Sequence, residues 1–379
     1  MGVIYADNAA TTRLSDAAFD AMKPFLLEEY GNASTLYKLG RSAHKAVENA
    51  RGVFAKGINA LPAEIYFTSG GTESDNWAIK GTAHRLAASG KKHIVTDNIE
   101  HHAVLNSAKA LEREGFEVTY VRADKNGLVR AEDVAAAIRP DTALVSVMFA
   151  NNELGTIQPV EEIGSICRSE GVLFHCDAVQ AAGILPIDVK QMNIDLLSMS
   201  AHKFHGPKGV GIMYARRGCA PETYIDGGEQ ERGHRAGTEN VAGIVGASAA
   251  FAEAISERNE KDDRLCAMRD EIQSGLLKIP GSQVNGVTAP RLPGTLNMSF
   301  DGIDGQSLIF ELDLKGLAAS SGSACASGSV DPSHVLLALG LPYKLAHGSL
   351  RLSLGKYNTS DEAEKIIRIV SDTVAELRG

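Results

Sequence analysis

This sequence is short of several features, and each shortage excludes a class of protein. Its 379 residues hold five cysteines, an odd number without a C-x-x-C pair, which argues against a disulfide framework or a zinc site. No apolar run approaches the roughly 18 residues of a transmembrane helix. Lys and Arg number 38 against 47 Asp and Glu, and a net charge of −9 disfavours nonspecific binding to nucleic acid or an anionic membrane. Because no signal peptide is visible either, we expect a globular, cytoplasmic protein.

Apolar runs alternate with helical periods through the first two thirds of the chain. Strands are predicted at 64–68, 93–97, 117–121, 142–150, 172–177, 194–200 and 210–215, with helices between most of them. The run TALVSVMFA at 142–150 is almost wholly apolar, as in a strand buried on both faces of a parallel sheet. The order predicts an α/β fold with a mainly parallel sheet covered by helices on both faces.

The pattern changes after about residue 255, which indicates a second, smaller α+β domain. Its predicted elements are a charged amphipathic helix (257–278), two alternating strands (295–300 and 349–354) and a final helix (360–377). We predict a large domain at 15–255 and a small domain formed by 1–14 and 256–379. The first dozen residues are expected to pack on the small domain or across its junction with the large one.

Three segments at predicted strand ends carry candidate chemistry. SGGTESDN (69–76) offers backbone N–H groups to an anion, although the same pattern suits an ordinary capped turn. Asp177 ends a strand where open α/β sheets place ligands, or it caps the next helix. Lys203 follows the next strand, either as a Schiff-base lysine or as a surface lysine. Together they fit pyridoxal phosphate (PLP): Asp177 at the ring nitrogen, Lys203 at the aldehyde and the phosphate at residues 70–72.

Two further residues are candidates for proton transfer and nucleophilic attack. His101 lies between a strand and a helix, where an imidazole can stack on a flat ring or move protons, or can lie exposed at a helix start. Cys325 lies in SSGSACASGS, within a loop expected near 318–330, where no large side chain would bury it. A Cys packed in a tight turn is the alternative there. The other cysteines, at 167, 176, 219 and 266, are interpreted as packing residues.

A series of motifs in order along the chain resembles a known family. They are YADNAATT (5–12), YGNAS (30–34), FTSGGTESDN (67–76), SVMFANNELG (146–155), HCDAVQ (175–180), SMSAHKFHGPKGVG (198–211), RAGTEN (235–240) and SSGSAC (320–325). The chain thereby resembles the cysteine desulfurases of the NifS/IscS type, group I, among the class-V aminotransferases. The resemblance implies a fold-type-I PLP-dependent transferase.

The resemblance also implies roles for individual residues. Lys203 would hold PLP covalently, Asp177 would pair with its ring nitrogen and His101 would stack on the ring. Further cofactor contacts are implied at Gly71, Thr72, Asn152, Gln180, Ser200 and His202, with Thr238 supplied by the partner subunit of a homodimer. Substrate contacts are implied at Asn8, Asn32, Asn152 and Arg351. Cys325 would be the catalytic nucleophile that forms a persulfide, and the resemblance also implies its transient contact with a 2Fe–2S cluster. At position 37 this chain has Tyr where the family usually has His, a difference expected to affect only local contacts at the rim of the site.

The implied reaction converts L-cysteine to L-alanine and passes sulfur through Cys325 to an acceptor protein such as an iron–sulfur scaffold, for cluster assembly or thiolation. No nucleic-acid or membrane partner is expected. The alternatives are a selenocysteine lyase or another PLP aminotransferase of the same family, and a sulfur carrier with a vestigial PLP site. The thiol of Cys325 argues against plain transamination, and intact Lys203 and Asp177 argue against a vestigial site.

Overall fold

The computed structural model describes residues 2–321 and 331–379, so Cys325 and most of the loop expected near 318–330 lie outside the described residues. The strands are β1 (Ile4–Tyr5), β2 (Ile65–Thr68), β3 (His93–Asp97), β4 (Glu117–Val121), β5 (Thr142–Ser146), β6 (Leu173–Asp177), β7 (Leu196–Ser200), β8 (Gly211–Ala215), β9 (Ser282–Val284), β10 (Thr295–Phe300), β11 (Leu317–Ala318) and β12 (Ser349–Ser353).

Helices alternate with these strands. They are α1 (Asp16–Leu27), α2 (Lys38–Gly57), α3 (Gly71–Asn76), α4 (Thr82–Ala87), α5 (His102–Arg113), α6 (Ala131–Ala137), α7 (Val160–Glu170), α8 (Val241–Ser256), α9 (Arg258–Leu276), α10 (Gly305–Leu314), α11 (His334–Ala338), α12 (Tyr343–His347) and α13 (Glu362–Arg378). A π-helical turn, Trp77–Gly81, joins α3 to α4. In the described part of the chain, none of these helices has the length and apolarity needed to cross a bilayer.

The central sheet has the strand order β2-β8-β7-β6-β5-β3-β4. Strand β8 runs antiparallel to both of its neighbours, and the other pairings are parallel. The α/β fold with a mainly parallel mixed sheet is therefore confirmed. Strands β4 and β5 lie on opposite sides of β3, which creates the kind of switch point where such sheets bind ligands.

Apolar side chains fill both faces of this sheet. Ile94 and Leu144 belong to the core under one face, while their chain neighbours Val95 and Val145 belong to the core under the other. This division follows from the alternation of side chains along a strand. It explains why the sequence of β5 is apolar without alternation. The regular strand β5 nevertheless ends at Ser146, earlier than the predicted 150, although Val147 and Phe149 still donate backbone hydrogen bonds to the His175 and Asp177 carbonyls of β6.

The C-terminal part has its own core. Strands β9, β10 and β12 form an antiparallel sheet in the order β12-β10-β9, and α9, α10 and α13 contribute to the core beside it. The N-terminal segment joins this part, since β1 pairs in parallel with β11 and the backbone of Asp7 pairs with Ser353. Residues 9–12 reach the other way, toward the turn after β7. The domain boundaries at 14/15 and 255/256 stay a prediction.

Candidate active site

A cavity of about 370 Å³ opens where the carboxyl ends of the parallel strands meet. Its wall includes residues that follow β3, β5, β6 and β7, together with the N-terminal segment and β12. The lining residues are Ala9, Ala10, Gly71, Thr72, Asp75, His101, Met148, Ala150, Asn152, Asp177, Val179, Gln180, Ser200, His202, Lys203 and Arg351. Two other grooves, of about 700 and 680 Å³, are more open to solvent and contain no lysine among their lining residues. Most of the sequence-predicted residues thus converge on the smaller, more enclosed cavity.

Lys203 lies in a short 3-10 turn, Ala201–Lys203, directly after β7. Its Nζ donates hydrogen bonds to the carbonyl oxygens of Ala9, at 2.5 Å, and Ala10, at 2.9 Å. The N-terminal segment is fixed there because Thr12 bonds the His202 carbonyl through both its backbone N–H and its hydroxyl. The amine is therefore held at the cavity wall by a segment distant in sequence.

Asp177 closes β6 and faces the same cavity. Its Oδ1 accepts a hydrogen bond from Val179 N at 2.9 Å. Burial raises the pKa of its carboxyl to about 6, although the Val179 N–H and the charge of Lys203 act in the opposite direction. A carboxylate in these surroundings is stabilised by a cationic or N–H partner at the cavity.

Further buried carboxyl groups lie around Asp177, and the sequence reasoning missed them. Burial and then the charge of Asp177 raise the pKa of Asp75, whose Oδ1 has no hydrogen-bond partner among the described residues. Burial and neighbouring carboxylates likewise raise the pKa of Glu100. His175 lies nearby, with its ring nitrogens bonded to the hydroxyls of Ser146 and Ser198. Burial lowers the pKa of His175 to about 3, so this imidazole is neutral.

The other end of the cavity combines a close backbone approach with polar side chains. A Cβ added to Gly71 would lie 2.6 Å from Val179 Cγ2, so the backbone at the start of α3 approaches the segment after β6 as closely as glycine allows. Thr72, Ser200 and His202 line the same wall. Burial, followed by the charges of Lys203 and Lys208, lowers the pKa of His202 to about 4. This end offers neutral donors to an anion.

His101 is the N-cap of α5. Its Nδ1 accepts a hydrogen bond from Ala103 N at 3.1 Å, which assigns the proton of the neutral ring to Nε2. Burial, with a smaller contribution from the charge of Lys203, lowers the pKa of His101 to about 4. The neighbouring His102 lies away from the cavity, with its ring 4.7 Å from that of His334. His101 therefore presents a neutral aromatic face and a donor.

Arg351 enters the cavity from the middle of β12. Its side chain is buried, with Nη1 donating to the Asn152 carbonyl at 3.0 Å and Nη2 donating to Asp7 Oδ1 at 2.7 Å. Asp7 is a second residue that sequence reasoning missed, although it belongs to the YADNAATT motif. Asn152 reaches this cluster through its backbone oxygen and also lines the cavity.

The remaining predicted residues divide into two groups. Gln180 lines the cavity and donates to the Ala9 carbonyl, while Asn8 lines an adjoining cavity of about 50 Å³ and donates to the Ser353 carbonyl. Asn32 and Thr238 are exposed and do not belong to the described lining of the main cavity. Cys325, with its predicted cluster contact, lies outside the described residues. Of the four cysteines interpreted as packing residues, three are buried and Cys266 is partly buried.

Comparisons with known proteins agree with this arrangement. The model of the aminotransferase class-V family matches residues 4–366. The cysteine desulfurase IscS of Methanosarcina thermophila is 50% identical over 375 residues, covering 99% of this chain and 93% of that protein. A solved NifS-like protein has a TM-score of 0.93 at 40% identity, covering 99% of this chain and 100% of that one. A structure of SspA in complex with cysteine has a TM-score of 0.82 at 36% identity, covering 94% and 99%.

Proposed function

Because the chain belongs to the class-V aminotransferase family, and within it to the cysteine desulfurases, we propose that it removes sulfur from L-cysteine and releases L-alanine. The observation that carries the proposal is the convergence of Lys203, Asp177, Gly71 and Arg351 on one cavity. The sulfur leaves through Cys325, from which it passes to an acceptor thiol.

Enzymes of this family use PLP, and the residues of the cavity fit that cofactor. Asp177 is a buried carboxyl at a strand end, suited to hold the proton of the ring nitrogen. Gly71 provides a cradle that a side chain would fill, beside the neutral donors Thr72, Ser200 and His202. Lys203 supplies the amine. When bound, PLP supplies an electron-withdrawing ring that stabilises negative charge at the substrate Cα.

Lys203 has two successive tasks in this proposal. Its amine first holds the cofactor, and after exchange with the substrate amine it takes the proton from the substrate Cα. The carbonyls of Ala9 and Ala10 accept hydrogen bonds from Nζ, so they keep the released amine at the cavity wall. His101 contributes a neutral ring, since an imidazole whose pKa is about 4 carries no charge at neutral pH.

Arg351 orients the substrate by its carboxylate. A guanidinium offers paired N–H groups that match a carboxylate, and its position on β12 fixes the direction in which the substrate side chain points. In the overall reaction, the Cys325 thiolate forms a bond to the substrate sulfur as the substrate C–S bond breaks. The enzyme gains a persulfide, and the carbon skeleton gains protons to leave as alanine.

We assign the active enzyme to a homodimer in the cytoplasm. Two observations support the dimer. Thr238 is exposed on its own subunit, and large apolar side chains are exposed between α1 and α2, with Tyr30 at 71% and Leu36 at 89% exposure. The acceptor would be a protein thiol of iron–sulfur assembly or thiolation.

Replacing Cys325 tests the proposal directly. Cys325→Ser removes the nucleophile but leaves the cavity intact, so L-cysteine should still bind while alanine release falls by roughly 10³-fold or more. Wild-type enzyme given L-cysteine without a reductant should gain the mass of one sulfur atom on the peptide that contains Cys325. Cys266→Ser, on the partly buried face of α9, is the matched control and should keep normal turnover. Normal alanine release by Cys325→Ser would favour the lyase alternative instead.

A further inference from the structure

The buried guanidinium of Arg351 is only partly satisfied. Its side chain is 2% exposed, and two of its nitrogens have partners, Asp7 Oδ1 and the Asn152 carbonyl. The Nε–H is buried and, among the described residues, has no hydrogen-bond partner. An unmet buried donor is costly, so this atom is poised to bind an acceptor that enters the cavity.

Asp7 is anchored by its backbone next to this guanidinium. Asn8 N donates to the Ser353 carbonyl at 3.0 Å, and Ser353 N donates to the Ala6 carbonyl at 2.7 Å. The Asp7 carbonyl accepts from Ala10 N at 3.0 Å. The main chain of Asp7 therefore cannot withdraw from Arg351 without breaking the attachment of the N-terminal segment to β12. The side chain, which is 19% exposed, can rotate.

The charges at this position set up a competition. Asp7 and Arg351 form a neutral pair, and the nearby Glu153 does not add a full negative charge, because burial raises its pKa to about 7. A substrate carboxylate would bring a second anion to a guanidinium that already has one. Without any anion, however, Arg351 would be an unpaired buried cation, which is strongly destabilising.

We infer that Asp7 is a built-in counter-ion of Arg351, which holds the guanidinium in place in the substrate-free enzyme and competes with the substrate carboxylate for it. The inference rests on the proposed assignment of Arg351 to that carboxylate. Asp7 is thus a positioning residue whose charge lowers the affinity for L-cysteine. Its backbone attachment keeps the main chain of Asp7 next to the guanidinium.

The test separates charge from hydrogen bonding. Asp7→Asn keeps an oxygen for Nη2 but removes the charge, so the holoenzyme variant should bind L-alanine about tenfold more tightly. L-alaninol, which lacks the carboxylate, should bind unchanged. Titration calorimetry measures both ligands, and the KM for L-cysteine should fall in parallel while kcat stays within a few-fold of wild type. Asp7→Ser, which also removes the charge, should shift L-alanine affinity in the same direction.

Two further variants fix the interpretation. Asp16→Asn removes a charge from the exposed pair that Asp16, at the start of α1, forms with Arg13, so it controls for net charge and should change neither ligand's affinity. Arg351→Gln should weaken L-alanine but not L-alaninol. If Arg351→Gln leaves L-alanine binding unchanged, the carboxylate assignment in the proposed function is wrong. If Arg351→Gln behaves as expected but the Asp7 variants bind L-alanine equally or more weakly, the counter-ion inference is wrong.

Discussion

Asp177 is held in surroundings that oppose the charge its proposed role requires. Burial raises its pKa to about 6, and the neighbouring buried carboxyls Asp75 and Glu100 have raised pKa values as well. A positively charged group on a bound cofactor would offset the cost of ionising Asp177. In the cofactor-free protein this cost is not offset. Active sites often carry such a conflict between stability and function.

Asp177→Asn should therefore stabilise the cofactor-free protein. The folded pKa lies above the ordinary aspartate value of 3.8, so ionisation costs stability as the pH rises from about 4 to about 6, and the full cost is present above that. At pH 8 the variant should gain up to roughly 3 kcal/mol in the free energy of unfolding, and near pH 4 almost nothing. Urea unfolding of the apoprotein at both pH values measures this gain.

The control for this experiment is Asp20→Asn on the exposed face of α1, which should show no pH-dependent gain. The same Asp177→Asn protein should lose PLP on gel filtration, because the ring nitrogen loses its anionic partner. A variant that is no more stable than wild type at pH 8 would contradict the burial argument, whatever its cofactor content.

For single residues, the sequence predicts a place in the site where that place follows from the end of a strand. Asp177 ends a buried strand while Lys203 and His101 follow one, and parallel strands bring such positions to one edge. Asp7 and Asp75 could not be found this way. Asp7 faces Arg351 through a contact across 344 residues, and Asp75 lies one helical turn inside α3, where an aspartate resembles an ordinary surface residue.

Among the elements, the start of α3 determines how closely the backbone can approach a ligand. Gly70 and Gly71 are adjacent, yet their surroundings differ. A Cβ on Gly70 would meet nothing within 4 Å, whereas a Cβ on Gly71 would contact Val179 Cγ2. The close packing at the cavity therefore requires a glycine at position 71 but not at position 70.

Gly71→Ala should weaken the affinity for PLP by about tenfold or more, because Val179 or the start of α3 must move out of the cofactor cradle. Gly70→Ala is the matched neighbour and should retain affinity within a few-fold. Fluorescence titration of each apoprotein with PLP measures the two constants. Equal losses in both variants would show that general helix-start strain, rather than the cradle, is responsible.

Elements held by close packing were harder to predict than those with strong apolar periodicity. Strand β10 matches its predicted range of 295–300, and α13 nearly matches 360–377. The alternation of strands and helices does not reveal α1 or α2. In α2, three glycines and many polar residues weaken the helical pattern of the sequence. Gly57 in α2 lets the helix approach Phe251 of α8, so tertiary contact rather than local propensity stabilises it.

At the scale of the whole molecule, mixing subunits tests the proposed dimer more specifically than a measurement of its mass does. Thr238 is assigned to the partner's cofactor, so in a mixed dimer of one Lys203→Ala subunit and one Thr238→Ala subunit the two defects fall in the same site. One site would carry both defects and the other neither, and mixing the two inactive or weakened proteins should recover activity in up to about half of the sites of each mixed dimer.

Subunit exchange followed by an alanine-release assay measures this recovery. Mixing Lys203→Ala with Cys266→Ser, which leaves the cavity unchanged, gives the reference for subunit dilution. If Thr238 served its own subunit, every site of the mixed dimer would carry one defect, and activity would not rise above that of the Thr238→Ala protein.

The pairing of residues 4–7 with β11 and β12 has a consequence for synthesis on the ribosome. Residues 4–7 can take their final place only after residues 317–353 have been translated. Until then Ala9 and Ala10 are held near Lys203 from one side, by the hydrogen bonds of Thr12 to the His202 carbonyl, although the strands of the central sheet are already complete. The attachment of residues 4–7 to β11 and β12 is therefore a late contact of high sequence separation, which forms only after the central sheet has been synthesised.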